Sequence, residues 1–138
     1  MKTINEENYV VKAEEAILRL KGKINPKTGK AFQMVTTSKI RNLLAMTSDI
    51  YNNVLVLQSD ELDSELKSRI EYLRMRFIYE YGRDDDRRND YPVQAFINES
   101  KILDILKEIS GSRANYILFN HYMEALIAFH RFNGGKNE

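Results

Sequence analysis

His121 and His130 are the only histidines in the chain, so acid–base chemistry near neutrality has to begin with them. They stand nine residues apart in a segment that reads as helix, which puts them on opposite sides and about 13 Å apart along the axis. At that separation they cannot share a metal ion or act as one acid–base pair. A helical ribonuclease reading needs an arginine roughly one turn from its histidine, and Arg113 and His121 are two turns apart. The run Asp84-Asp85-Asp86 offers the carboxylate oxygens that magnesium and calcium take, but it lacks the alternation and the glycine of a calcium loop, and Arg83, Arg87 and Arg88 flank it. No phosphate-cradling glycine loop, nucleophile elbow or carboxylate–histidine metal motif occurs, and Glu14, Glu15 and Glu124 read as ordinary helix carboxylates. The residues point away from catalysis and call for no metal and no cofactor.

Binding chemistry is better represented. At about 100° per residue, Arg69, Tyr72, Arg76, Tyr79 and Arg83 fall within an arc of about 80° on one helix. Such a stripe suits a polynucleotide backbone: guanidinium forks grip phosphates bidentately, and tyrosines add ring faces and hydroxyls. The same arginines would also serve as a rim of ion pairs with Glu65, Glu71 and Glu80. Arg74 lies on the other flank of the apolar face, placed for a partner or a different stretch of RNA. Lys39 and Arg41 open an earlier helix, where the macrodipole disfavours cations. Beside free backbone N–H groups and the Thr37 and Ser38 hydroxyls they would form a phosphate site; a capped helix with solvated charges accounts for the same residues. Arg131 and Lys136 are further cations for RNA or a neighbouring copy.

Five helical elements are predicted to position these side chains. Asn5 caps a first helix with an apolar stripe Tyr9, Ala13, Ala16, Ile17 and Leu20, ending near Gly22. Lys23 to Gln33 is turn chemistry, a connector or a basic arm. The second helix begins at Thr37 or Ser38 and keeps Ile40, Leu43, Leu44, Thr47, Ile50, Tyr51, Val54 and Leu57 on one face. The third is capped by Ser59 or Asp60, runs to Tyr81 with Gly82 as its stop, and turns Leu62, Leu66, Ile70, Leu73 and Phe77 inward. A charged loop from Arg83 to Tyr91 leads to Pro92, suited to a first helical position, and a fourth helix carries Phe96, Ile97 and Ile102 through Ile109 to Gly111. Ser112 caps the last helix, whose Phe119, Met123, Leu126, Ile127 and His130 are joined by Tyr122, Ala125, Phe129 and Phe132 into a stripe covering more than half its circumference. A helix that is apolar nearly all round is the centre of a bundle. Gly134-Gly135 ends it.

With 138 residues the chain reads as one domain, 1–138, that buries about two-thirds of its unfolded surface. No cysteine is present, which excludes disulfides and thiolate metal sites and fits a reducing compartment. No apolar run approaches the roughly 18 residues of a membrane span, so a cytoplasmic location with no membrane partner is expected. Twenty-one basic against twenty acidic residues leave a net charge of +1, which favours a subunit that meets RNA together with neighbours over a free nucleic-acid binder and equally allows no RNA binding at all.

Thr36-Thr37-Ser38-Lys39-Ile40-Arg41, Tyr72-Leu73-Arg74, Tyr81-Gly82-Arg83 and the segment His121 to Lys136 together resemble the Csm small subunit of type III-A CRISPR RNA-guided effector complexes. The likeness lies in the order and spacing of the four stretches, from about Asn8 to Lys136. It implies a non-catalytic helical protein that stacks in several copies along the guide–target RNA duplex and contacts mainly the target strand. Its partners would be target RNA paired with CRISPR guide RNA, neighbouring copies of itself, and the backbone and large subunits. Lys39, Arg41, Arg74 and Arg83 lie in stretches similar to the family's motifs, whereas Arg69 and Arg76 rest on helix geometry; together they are the expected RNA contacts. The reading from another class is a helical protein–protein adaptor, its Arg/Tyr stripe serving as the interface.

Overall fold

The computed structural model describes residues 2–22, 29, 34–84 and 91–134. Among them are six helices and no strand: α1 (Tyr9–Gly22), α2 (Thr37–Leu55), α3 (Ser64–Gly82), α4 (Pro92–Ser100), α5 (Ile102–Glu108) and α6 (Arg113–Phe132). The all-α class is as expected, with one helix more than the five predicted. The extra boundary falls at Lys101, which adopts a left-handed backbone with φ of 58°. The Ser100 hydroxyl turns back onto the Phe96 carbonyl at 2.6 Å, and the Ser100 carbonyl accepts the Tyr122 hydroxyl at 2.8 Å instead of a helical N–H. Neither glycine nor proline marks the break; a tertiary hydrogen bond makes it.

Side chains cap the helices as polar residues at these positions do. Thr36 Oγ1 accepts the Lys39 N–H, Ser112 Oγ accepts that of Asn115, and Asn5 Oδ1 accepts those of Glu7 and Asn8 in the turn that leads into α1. The third helix starts later than expected, with Asp63 Oδ1 accepting the Leu66 N–H at 2.9 Å. Ser59 and Asp60 are not its cap, because the preceding residues are held against the start of α6. Leu62 N–H donates to Gly111 O at 2.8 Å, Arg113 N–H donates to Asp60 O at 2.9 Å, and Glu61 pairs with Ser112 in an isolated antiparallel bridge. A backbone used this way cannot also coil.

Helix α6 packs against α1, α2 and α5, and Tyr116, Phe119, Met123, Leu126 and His130 on it are fully buried. The central position expected for this helix is therefore observed. One member of its predicted stripe is not in the core: Phe132 is 85% exposed. Helix α3 packs against α2, α4 and α5 through Leu66, Ile70, Leu73 and Phe77, the apolar face expected of it. Burial pushes the Tyr116 and Tyr122 hydroxyls well above their ordinary pKa, so both remain donors, Tyr116 to the Thr47 carbonyl at 2.7 Å and Tyr122 to that of Ser100. Gly134 is left-handed (φ of 88°) and its N–H donates to Arg131 O, the helix stop anticipated there; Gly135 and Lys136 lie outside the described residues. No helix among the described residues is long and apolar enough to cross a membrane.

Candidate nucleic-acid interface

Burying the Leu66–Ile70–Leu73–Phe77 face of α3 turns the opposite side of that helix outward. Tyr72 is 60% and Tyr79 52% exposed, high values for aromatic side chains in a chain with a full core. The Arg76 guanidinium carbon lies 5.3 Å from the centre of the Tyr79 ring, and that of Arg83 lies 5.7 Å from the same centre. Both separations are within cation–π range. Arg76 and Arg83 thus approach one ring from the turns before and after it. The ring limits the rotamers of two long side chains, so less entropy is lost when either grips an anion. Arg83 Nε also bonds Glu80 Oε1 at 3.0 Å, an i,i+3 pair at the surface between an exposed guanidinium and a half-buried carboxylate. Arg76 makes no ion pair among the described residues.

The rest of the stripe divides. Arg69 is half-buried and acts electrostatically on the Tyr116 hydroxyl, partly offsetting the rise caused by burial. It is the member of the stripe that lies toward Tyr116 of α6. Arg74 pairs with Glu71 at 2.8 Å and lines a cleft floored by Leu62, Ile70 and Leu106 between α3 and α5. It lies on the far flank, as expected, apart from Arg76 and Arg83.

At the start of α2 the expected phosphate cradle does not assemble as predicted. Thr37 is fully buried with its hydroxyl unpartnered among the described residues, and it is Thr36 that caps the helix. Thr37 turns inward because it lies on the same side of α2 as Ile40 and Leu44. Lys39 and Arg41 are exposed, but at about 200° from one another around the axis they flank the core stripe on opposite sides. They provide two separate cations.

The candidate catalytic groups have structural partners. Arg113 donates through Nε to Val54 O and through Nη2 to Leu55 O, both at 3.1 Å, and so caps the end of α2. The His121 ring sits between those of Tyr9 and Tyr51, with Nε2 3.3 Å from the Tyr51 hydroxyl. His130 is buried with Nε2 2.6 Å from the Val35 carbonyl, joining α6 to the segment before α2. Burial lowers its pKa below the ordinary 6.5 and the adjacent Arg131 adds to this, while the Val35 bond opposes both. Of the aspartate run, Asp84 is buried and accepts the Gln94 N–H through Oδ2 at 2.8 Å; Asp85 and Asp86 lie outside the described residues, as does most of the Lys23 to Gln33 segment. Among the described residues no three His, Asp or Glu side chains converge as a metal site would require.

Sequence periodicity located the Arg76–Tyr79–Arg83 unit but could not show that Tyr79 is shared by two guanidiniums. The spacing i−3 and i+4 about an aromatic residue is the signal that was available.

Fold and surface define a small helical bundle whose one elaborated outer face is basic and aromatic. Its relatives give that class a family. The family model for Csm2 of type III-A systems matches residues 15–136. The chain is 38% identical over 137 residues to the CRISPR system Cms protein Csm2 of Streptococcus thermophilus, an alignment spanning 99% of this chain and 100% of that one. It is 33% identical over 113 residues to the protein of the same description in Mycobacterium tuberculosis, covering 82% and 86% of the two chains. The Enterococcus italicus counterpart is 28% identical over 128 residues, 91% of this chain and 86% of that one. The chain belongs to the Csm2 type III-A family.

Proposed function

We propose that this protein is the non-catalytic small subunit of a cytoplasmic type III-A CRISPR effector complex, stacking in several copies along guide–target RNA and contacting mainly the target-strand backbone. The observation that carries the proposal is the Arg76–Tyr79–Arg83 unit on the outward face of α3, two guanidiniums held against one exposed ring. Such a unit suits backbone contact, which positions a nucleic acid without reading its sequence. Specificity then rests with guide pairing. Lys39 and Arg41 extend the cationic surface, while Arg69, drawn toward Tyr116, and Arg74, paired with Glu71 on the far flank of α3, are its lesser contributors. The backbone and large subunits are the further partners. The near-neutral net charge suits a surface that binds in repetition, since sites too weak singly act together once linked.

The test uses the assembled complex loaded with a target RNA carrying 4-thiouridine, irradiated and mapped by mass spectrometry. Crosslinks within the Tyr72–Arg83 peptide are expected. Crosslinks confined to other subunits, or to a surface of this chain remote from α3, would refute the assignment.

A further inference from the structure

Phe132, the last residue of α6, is the most exposed large hydrophobic side chain among the described residues. At the other end of the same helix lies a cleft of about 400 Å³ walled by Tyr9, Arg113, Ala114, Ile117, Leu118 and His121, with Glu6 at its edge. A cavity of about 150 Å³ is known to hold a benzene ring, so this cleft has room for a phenyl group. Phe132 follows Ala114 by eighteen residues, five helical turns, so the two share one side of α6 about 27 Å apart. The side chain cannot reach the cleft of its own chain. The Arg113 guanidinium in the cleft wall is engaged by the Val54 and Leu55 carbonyls, whereas Glu6 and Glu7 are exposed at this end and Arg131 is exposed next to Phe132 at the other, and none of these three has an ion-pair partner among the described residues.

We infer that Phe132 of one copy seats in the Tyr9–Ala114–His121 cleft of the next, with Arg131 facing Glu6, so that copies join end to end through α6. The inference rests on the stacking part of the proposed function and supplies the contact that stacking needs. A knob and a hole at opposite ends of one helix make a heterologous interface, which grows as an open series when its rotation does not close. The Arg76–Tyr79–Arg83 face belongs to another helix and remains free for RNA.

The experiment is sedimentation of the full chain over a wide concentration range for wild type, Phe132→Asp, Ala114→Trp and an equimolar mixture of the two variants. Circular dichroism checks that each is folded. Ala114 is exposed, so a tryptophan there fills the cleft without entering the core. Wild type is expected to form a concentration-dependent series, and each variant to associate about tenfold more weakly or not at all, the effect of losing one buried aromatic contact. The mixture is expected to form heterodimers that stop growing, because each variant retains the half of the contact that the other lacks. A wild type that is monomeric throughout or a closed dimer, variants that associate like wild type, or a mixture that stays monomeric would overturn the inference. RNA affinity measured on a short oligonucleotide separates this from the proposed function. If interface variants bind it normally but still associate, only the interface is wrong; if Arg76→Ala/Arg83→Ala leaves affinity unchanged, the RNA face is wrong.

Discussion

Helices α3 and α6 have nearly the same length and carry aromatic residues at similar density, yet they use them in opposite ways. On α6, Tyr116, Phe119 and Tyr122 are inside, and even the polar ends of the two tyrosines are spent on backbone carbonyls. On α3, Phe77 is inside while Tyr72 and Tyr79 are outside, interleaved with arginines. Packing explains every large apolar side chain of α6 except Phe132. It explains only half of α3. Exposed aromatics gain little from folding, so the outer face of α3 and the tip of α6 are where a function other than stability is to be sought.

The contrast can be broken most forcefully in the core. Phe119→Ala is expected to cost about 3–5 kcal/mol in urea unfolding, whereas Tyr72→Ala should stay within about 0.5 kcal/mol of wild type. Comparable losses from the two would mean that Tyr72 packs in a way its exposure does not reveal. Tyr116→Phe deletes a single oxygen and removes the side-chain bond that the Thr47 carbonyl accepts in addition to its place in α2, so a loss of about 0.5–1.5 kcal/mol is expected, measurable as a lower urea midpoint with an unchanged slope.

Much of this contrast was legible before the structure, because the inward faces of α2, α3 and α6 follow helical periodicity; those of α2 and α3 matched their buried sets closely, while that of α6 missed the buried Tyr116, Leu118 and Asn120 of its first two turns. The misses share a cause. Asp63 replaced Ser59 and Asp60 as the cap of α3, and Lys101 split the fourth helix, because contacts with α6 that are remote in sequence took the backbone groups involved. Thr37 reads as polar and Phe132 as apolar, and each lies on the side of its helix that its composition argues against. In the candidate site the Arg76–Tyr79–Arg83 cluster followed from spacing, while the inward bias of Arg69 did not, since it depends on Tyr116 of another helix.

Two smaller effects sharpen the account of those misses. Lys101→Gly is expected to raise stability by about 1 kcal/mol, less what glycine gains in the unfolded chain, because glycine accepts the left-handed backbone that strains lysine there. A fall in thermal midpoint would show that the Lys101 side chain contributes more than its backbone costs. His130 is kept neutral in the fold, its pKa held below that of the unfolded chain, so its contribution is complete above about pH 6.5 and is lost as pH falls from there through the folded pKa. Stability measured between pH 7.5 and 5 should therefore decline more steeply for wild type than for His130→Gln. Parallel declines would place the acid sensitivity elsewhere.

The central claim is that the outer face of α3 meets RNA backbone, and salt dependence of single-stranded RNA binding, wild type against Arg76→Ala/Arg83→Ala, tests it most directly. Two phosphate contacts removed should lower the log–log slope of affinity against salt by about 1.4, uniformly across RNA sequences and with the urea midpoint unchanged. An unchanged slope in a folded double variant would contradict the claim, and binding insensitive to salt in both proteins would favour a protein adaptor surface in its place.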